Sequence, residues 1–173
     1  MRIGWIGTGV MGRSMAGHVQ AAGHELYVHN RTKAKAEELL KKGAIWCDSP
    51  ADAAAKSEIL FSIVGLPSDV EETYLGKNGV LSTKGSCRIL VDMTTSRPSL
   101  AQIIGQEAAK KGVESLDAPV SGGDIGARDA TLAIMVGGKK EVFEKVLPVF
   151  QLMGKNIAHM GNAGAGQHTK MSN

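Results

Sequence analysis

The first chemistry legible in the chain is carried by glycines. Gly7, Thr8, Gly9, Val10, Met11 and Gly12 form a G-x-G-x-x-G run. In such a run the first glycine permits a tight turn, the second leaves room for a pyrophosphate, and the third lets a helix lie close on a strand. The unpaired N–H groups at the start of that helix then face the anion. The pattern alone is weak. Here it follows the apolar run at residues 2–7 and opens a segment with helical spacing, and that context points to a dinucleotide.

About 20 residues further on, such a fold places the residue that reads the ribose 2′ position. His29, Asn30, Arg31 and Thr32 stand there. A carboxylate at that point would accept from a free ribose hydroxyl. Asn30 carries no charge, whereas Arg31 offers a planar fork of donors suited to a 2′-phosphate and able to lie on adenine. Lys33 and Lys35 add positive charge nearby. The expectation is NADP(H) in preference to NAD(H), with NAD(H) as the alternative.

The elements that must position these residues alternate along the chain. Strands are predicted at residues 2–7, 25–29, 44–47, 58–64, 88–92, 113–117, 131–136 and 156–159. Helices are predicted at 11–22, 33–42 with Thr32 as its cap, from Ser49-Pro50 onward, in a short stretch to about 75, at 97–111 with Leu100, Ile103 and Ile104 on its apolar face, and at 139–153. Residues 118–130 read as a long Gly-rich loop. Alternation of this kind requires right-handed crossovers, hence an α/β fold of Rossmann type, doubly wound, with a mainly parallel sheet. Residues 1–163 read as that domain and 164–173 as the start of a further helix, which reads as cut off.

Composition narrows the classes. A chain of 173 residues that is 43% hydrophobic and 21% charged is globular and the size of one domain. Its net charge of +3 and its 4% aromatics argue against nucleic acid and suit a small anion. No stretch is apolar enough to span a membrane, no leader is visible, and Cys47 and Cys87 match no metal pattern. A reduced, cytoplasmic setting and no metal are expected. The five histidines show no ligand spacing, and Asp117 reads as a strand-end residue ordering the loop that follows it.

Four segments together resemble the 3-hydroxyacid dehydrogenase family. They are Ile3-Gly-Trp-Ile-Gly-Thr-Gly-Val-Met-Gly12, Val91-Asp-Met-Thr-Thr-Ser-Arg-Pro98, Asp117-Ala-Pro-Val-Ser-Gly-Gly123 and Gly164-Ala-Gly-Gln-His-Thr-Lys-Met-Ser-Asn173. That family includes 3-hydroxyisobutyrate dehydrogenase, tartronate semialdehyde reductase and glyoxylate/succinic semialdehyde reductases, with 6-phosphogluconate dehydrogenase more distant. The resemblance implies hydride transfer between a nicotinamide and a small 3-hydroxy acid or its aldehyde-acid counterpart. It makes Lys170 the general acid/base, with Ser121, Gly122, Gly123 and Asn173 on the substrate, and Leu66, Pro67, Thr94 and Thr95 lining the cofactor. Elementary chemistry agrees. Oxidising an alcohol needs a base for its proton, and an amine serves as one near neutral pH when burial or a neighbouring cation keeps it neutral. A hydroxyl beside approachable backbone N–H groups suits a carboxylate.

The resemblance also implies an all-helical C-terminal domain, absent after residue 173, and a second asparagine directly after Asn173. With that domain missing, the chain is expected to be inactive alone, to expose Met171 and either to self-associate or to fray near residue 173. A free-standing NADP(H)-binding module without hydroxyacid chemistry is the alternative. Imine-reducing relatives usually lack the lysine, so Lys170 favours the first reading.

Overall fold

Residues 1–83 and 85–172 are described by the structure, a computed structural model. Five parallel strands are laid down first: β1 (Arg2–Ile6), β2 (Glu25–His29), β3 (Ile45–Trp46), β4 (Ile59–Ser62) and β5 (Ile89–Asp92). They continue into β6 (Glu114–Asp117), β7 (Val120–Ser121), β8 (Leu132–Gly137) and β9 (Gly154–Gly161). Among the described residues these make one nine-stranded sheet in the order β3-β2-β1-β4-β5-β6-β8-β7, with β9 paired to β8. All pairs from β3 to β6 are parallel, while β8 runs antiparallel to β6 and β7. The expected doubly wound, mainly parallel sheet is therefore present. Strand order reverses between β1 and β4, and ligands of such sheets bind in the crevice outside the strand ends at that reversal.

Side chains alternate across a strand, so a sheet covered on both sides needs two cores. Trp5, Phe61 and Val91 pack on one face, with the Trp5 and Phe61 rings stacked 5.4 Å apart. Leu60 and Leu90 pack on the other. The helices α1 (Val10–Ala21), α2 (Glu37–Lys41), α3 (Pro50–Lys56), α4 (Pro67–Leu75), α5 (Pro98–Lys110), α6 (Gly123–Asp129), α7 (Lys140–Phe150) and α8 (Ala165–Ser172) connect the strands. Ser49 caps α3 as its sequence predicts, accepting from the Asp52 N–H at 3.0 Å.

Four expectations are corrected. Residues 118–130 are not a loop: β7 and α6 lie within them. The glycines hide a helix that tertiary contacts hold, with Gly126 pressed on the Leu132 side chain and His18 donating from Nε2 to the Ala127 carbonyl at 2.9 Å. Thr32 does not cap a long helix. Its carbonyl accepts from Lys35, three residues on, and a 3₁₀ turn at Lys33–Ala36 precedes the short α2. Ile103 is exposed, and the buried stripe of α5 is Leu100, Ile104 and Ala108. Asp117 does not order the loop after it but serves α8, 47 residues away. No helix among the described residues is long and apolar enough to cross a membrane.

Candidate functional site

Three glycines from the end of β1 into α1 do two different things. Gly7 has φ +100°, and a Cβ there would lie 1.9 Å from the Ile63 carbonyl oxygen. A Cβ on Gly12 would meet the Gly7 carbonyl oxygen at 2.1 Å. Gly9 is different: a Cβ there would meet nothing within 4 Å. Gly7 and Gly12 thus let β1, β4 and α1 close on one another, and Gly9 leaves open space over the helix start. No side chain caps α1 and its first turn carries no acid. Such a helix start, with unpaired N–H groups and a positive dipole end, suits an anion.

A cleft of about 770 Å³ opens here, lined among others by Gly7, Gly9, Met11, Gly12, Asn30 and Arg31. Thr8 is buried, with a hydroxyl that has no partner among the described residues, while its N–H donates to Asn30 Oδ1 at 2.9 Å. Asn30 in turn donates from Nδ2 to the Thr32 carbonyl. The asparagine is therefore a brace between the glycine loop and the end of β2, a role that its lack of charge does not reveal. Thr32 also lines the cleft. Val10 is exposed beside it, as is Leu66, and Pro67 opens α4. Arg31 Nη2 donates to Asp69 Oδ1 at 2.8 Å across 38 residues.

The other expected residues lie outside that cleft, around α8. Lys170 Nζ donates to Ser121 Oγ at 2.6 Å. Gly122 and Gly123 have φ +132° and +62°, so the chain turns sharply after Ser121 in a way that favours glycine. Asn173 lies outside the described residues. Two residues hold α8 in place, one read from sequence in another role and one not assigned at all. Asp117 accepts from the Gly164 N–H at 2.8 Å and the Gln167 N–H at 2.9 Å. Gln167, wholly buried, accepts from the Ser96 N–H at 2.8 Å and donates to the Thr94 carbonyl at 2.7 Å. Thr94 turns its polar atoms inward, its hydroxyl accepting from the Val64 N–H, while Thr95 faces out. The only prior signal for Gln167 was its place between Gly164 and Lys170.

Beneath this lies a buried chain of polar groups. Ser62 is within 2.6 Å of the Tyr74 hydroxyl and donates to Asp92 Oδ1 at 2.9 Å, which also accepts from the Thr94 N–H. Burial pushes the Asp92 carboxyl up to about 6. Burial likewise raises the Cys47 and Cys87 thiols to about 11, so both are poor nucleophiles. Among the described residues no three His, Cys, Asp or Glu side chains gather as metal ligands.

Comparison with known proteins fits this geometry. Residues 2–161 match the family model described as the NAD binding domain of 6-phosphogluconate dehydrogenase. An uncharacterized oxidoreductase of Bacillus subtilis is 56% identical over 171 residues, covering 99% of this chain and 59% of that protein. The solved structure of a 3-hydroxyisobutyrate dehydrogenase of Mycobacterium tuberculosis with L-serine superposes with a TM-score of 0.90 at 31% identity, covering 99% of this chain and 58% of the other. An imine reductase of Myxococcus stipitatus in complex with NADP+ gives 0.86 at 29% identity, covering 99% and 59%. The chain thus spans less than two thirds of the length of each of these proteins.

Proposed function

The chain belongs to the family of NAD-binding domains of the 6-phosphogluconate dehydrogenase type, and from that premise we propose that it is the NADP(H)-binding part of an oxidoreductase acting on small 3-hydroxy acids or their aldehyde-acid counterparts. The observation that carries the proposal is the contact of Lys170 Nζ with Ser121 Oγ at 2.6 Å. It places an amine beside a hydroxyl and a glycine turn, the groups needed to hold a carboxylate and to move a proton.

The residues present fit a dinucleotide. The open space over Gly9, the uncapped start of α1 and the unpartnered Thr8 hydroxyl form a cradle for a pyrophosphate. Arg31 would take the 2′-phosphate at the rim. When bound, the nicotinamide supplies a carbon that accepts or gives the hydride. Ser121, with the Gly122 and Gly123 N–H groups, would fix the substrate carboxylate. Lys170 would take the proton of the substrate hydroxyl as its C–H electron pair leaves as hydride, and would return that proton in the reverse direction. Asn173 would orient the same substrate, a role that rests on the sequence resemblance.

The M. tuberculosis relative was solved with L-serine, itself a 3-hydroxy acid. The alternative is an NADP(H)-binding module without hydroxyacid chemistry, supported by the likeness to the imine reductase of M. stipitatus; Lys170 favours the first reading. The test is Lys170→Ala in the complete enzyme, assayed against a panel of small 3-hydroxy acids. Loss of a general acid–base group costs about 10²- to 10⁴-fold in kcat, and the Kd for NADP+ should stay unchanged. A variant with undiminished kcat would overturn the assignment.

A further inference from the structure

An acidic partner for Arg31 stands on the opposite lip of the cleft, on α4, where nothing in the order of residues suggests it. Asp69 Oδ1 accepts from Arg31 Nη2 at 2.8 Å, and both side chains line the same cleft. The two partners are not equally free. The Asp69 side chain is 23% exposed and its other oxygen accepts from the Leu66 N–H at 2.8 Å, closing the first turn of α4. The Arg31 side chain is 79% exposed. The carboxylate is thus fixed and the guanidinium is the one that can swing away. Arg31 and the Leu66 N–H hold the Asp69 carboxyl below its usual range, so it is charged at neutral pH.

The charges lining the cleft are balanced. Arg31, Lys35 and Lys77 are among its lining residues, and so are Asp48, Asp69 and Glu72. A site built only to attract a 2′-phosphate would be biased toward cations.

We propose that Asp69 is a specificity-determining residue that weakens the preference for NADP(H) over NAD(H). The inference rests on the reading that Arg31 receives the 2′-phosphate. Two effects add. A fraction of the molecules hold Arg31 closed on Asp69, and the apparent affinity for a ligand that needs the open form falls by that fraction. When the phosphate does bind Arg31, the fixed carboxylate remains within a few ångströms of it and repels it. NAD(H), which carries a hydroxyl at that position, meets neither effect. Specificity is a difference of two affinities, so a group that hinders one cofactor alone sets the ratio.

The experiment is a set of dissociation constants for NADP+ and NAD+ on the 173-residue chain, measured by calorimetry at two salt concentrations. Asp69→Asn keeps an oxygen for the Leu66 N–H and removes the charge. It should tighten NADP+ about threefold to tenfold, with NAD+ changed by less than about twofold. Asp69→Ser, which also keeps a short acceptor at the helix start, should act in the same direction if the asparagine variant folds poorly. Arg31→Ala should weaken NADP+ selectively. If Arg31→Ala does so but neither Asp69 variant moves the NADP+/NAD+ ratio, the inference fails and the reading of Arg31 stands. If both cofactors weaken together in the Asp69 variants, Asp69 serves only the fold of α4, and the inference also fails. If Arg31→Ala leaves the ratio untouched, the reading of Arg31 falls and takes the inference with it.

Discussion

Gly9 and Gly12 are the same residue type three positions apart, and the structure assigns them opposite sensitivities. A Cβ on Gly12 would sit 2.1 Å from the Gly7 carbonyl oxygen, whereas one on Gly9 would touch nothing. Gly12→Ala should therefore lower stability by about 1–3 kcal/mol, the usual cost of overpacking. Gly9→Ala should leave the melting temperature unchanged and weaken NADP+ binding at least about tenfold, because the methyl occupies the space for the pyrophosphate. Thermal unfolding and calorimetry on both variants check this, and equal losses of stability would refute it. Asp92 supplies a second residue-scale test. Its carboxyl titrates at about 6 in the folded chain and about 3.9 when unfolded. Between those values the folded chain keeps a proton that the unfolded chain has lost, so stability falls as pH rises from about 4 to about 6 and levels off above. Asp92→Asn keeps an acceptor for Ser62 and the Thr94 N–H and removes that fall. The variant's advantage in melting temperature should grow over this window and then stay constant. An advantage independent of pH would mean that Asp92 is as easily ionised in the folded chain as out of it.

α8 is short, and a helix of eight residues does not hold itself. Asp117 accepts from the Gly164 N–H just before it and from the Gln167 N–H in its first turn, and Gln167 pins it to the loop at Thr94 and Ser96. Because Lys170 is carried on that helix, its distance from Ser121 depends on side chains that touch neither. Gln167→Ala leaves a buried N–H and a buried carbonyl without partners, at about 1–3 kcal/mol each. Amide hydrogen exchange across α8 should accelerate strongly in this variant, while exchange in β1 and β4 should not change. Unaltered protection of α8 would show that the helix is held by packing alone. The small residues at this junction point to close contact: a Cβ on Gly166 would lie 2.4 Å from the Met135 carbonyl oxygen.

At the scale of the molecule, one sheet carries both halves of the site. The cleft at the end of β1 and the Lys170–Ser121 pair at the end of α8 and β7 are joined through Val64, Thr94 and Gln167. Cofactor binding should therefore be felt as global stability. A ligand at 100 times its Kd stabilises the folded state by about 2.7 kcal/mol, and a domain of this size gains about 2–4 °C per kcal/mol. NADP+ at that level should raise the melting temperature by about 5–10 °C. No shift with either NADP+ or NAD+ would contradict the assignment of the cleft. Val10, Leu66, Ile125 and Met171 remain exposed on the segments that carry site residues, so the expected exposure of Met171 is present.

The glycine spacing at Gly7, Gly9 and Gly12 and the alternation of apolar runs determined the sheet, its mainly parallel sense and the tight strand-to-helix turn at the end of β1 without coordinates. Those are local properties: a glycine's freedom and a period of two or of three to four residues are written in neighbouring positions. Arg31 was also legible as a residue type that suits a phosphate, and Lys170 and Ser121 were legible through the family resemblance. The acid that pairs with Arg31 and the residues that hold α8 were not. Asp69 lies 38 residues from Arg31, and Asp117 and Gln167 are 50 residues apart. α6 was hidden because its glycines give it little helical propensity of its own, and His18, 109 residues away, helps to hold its end. Only the tertiary structure decided which charges face each other across the cleft and what holds α8, because burial and pairing depend on what the sheet brings together. Chain order carries no record of that distance.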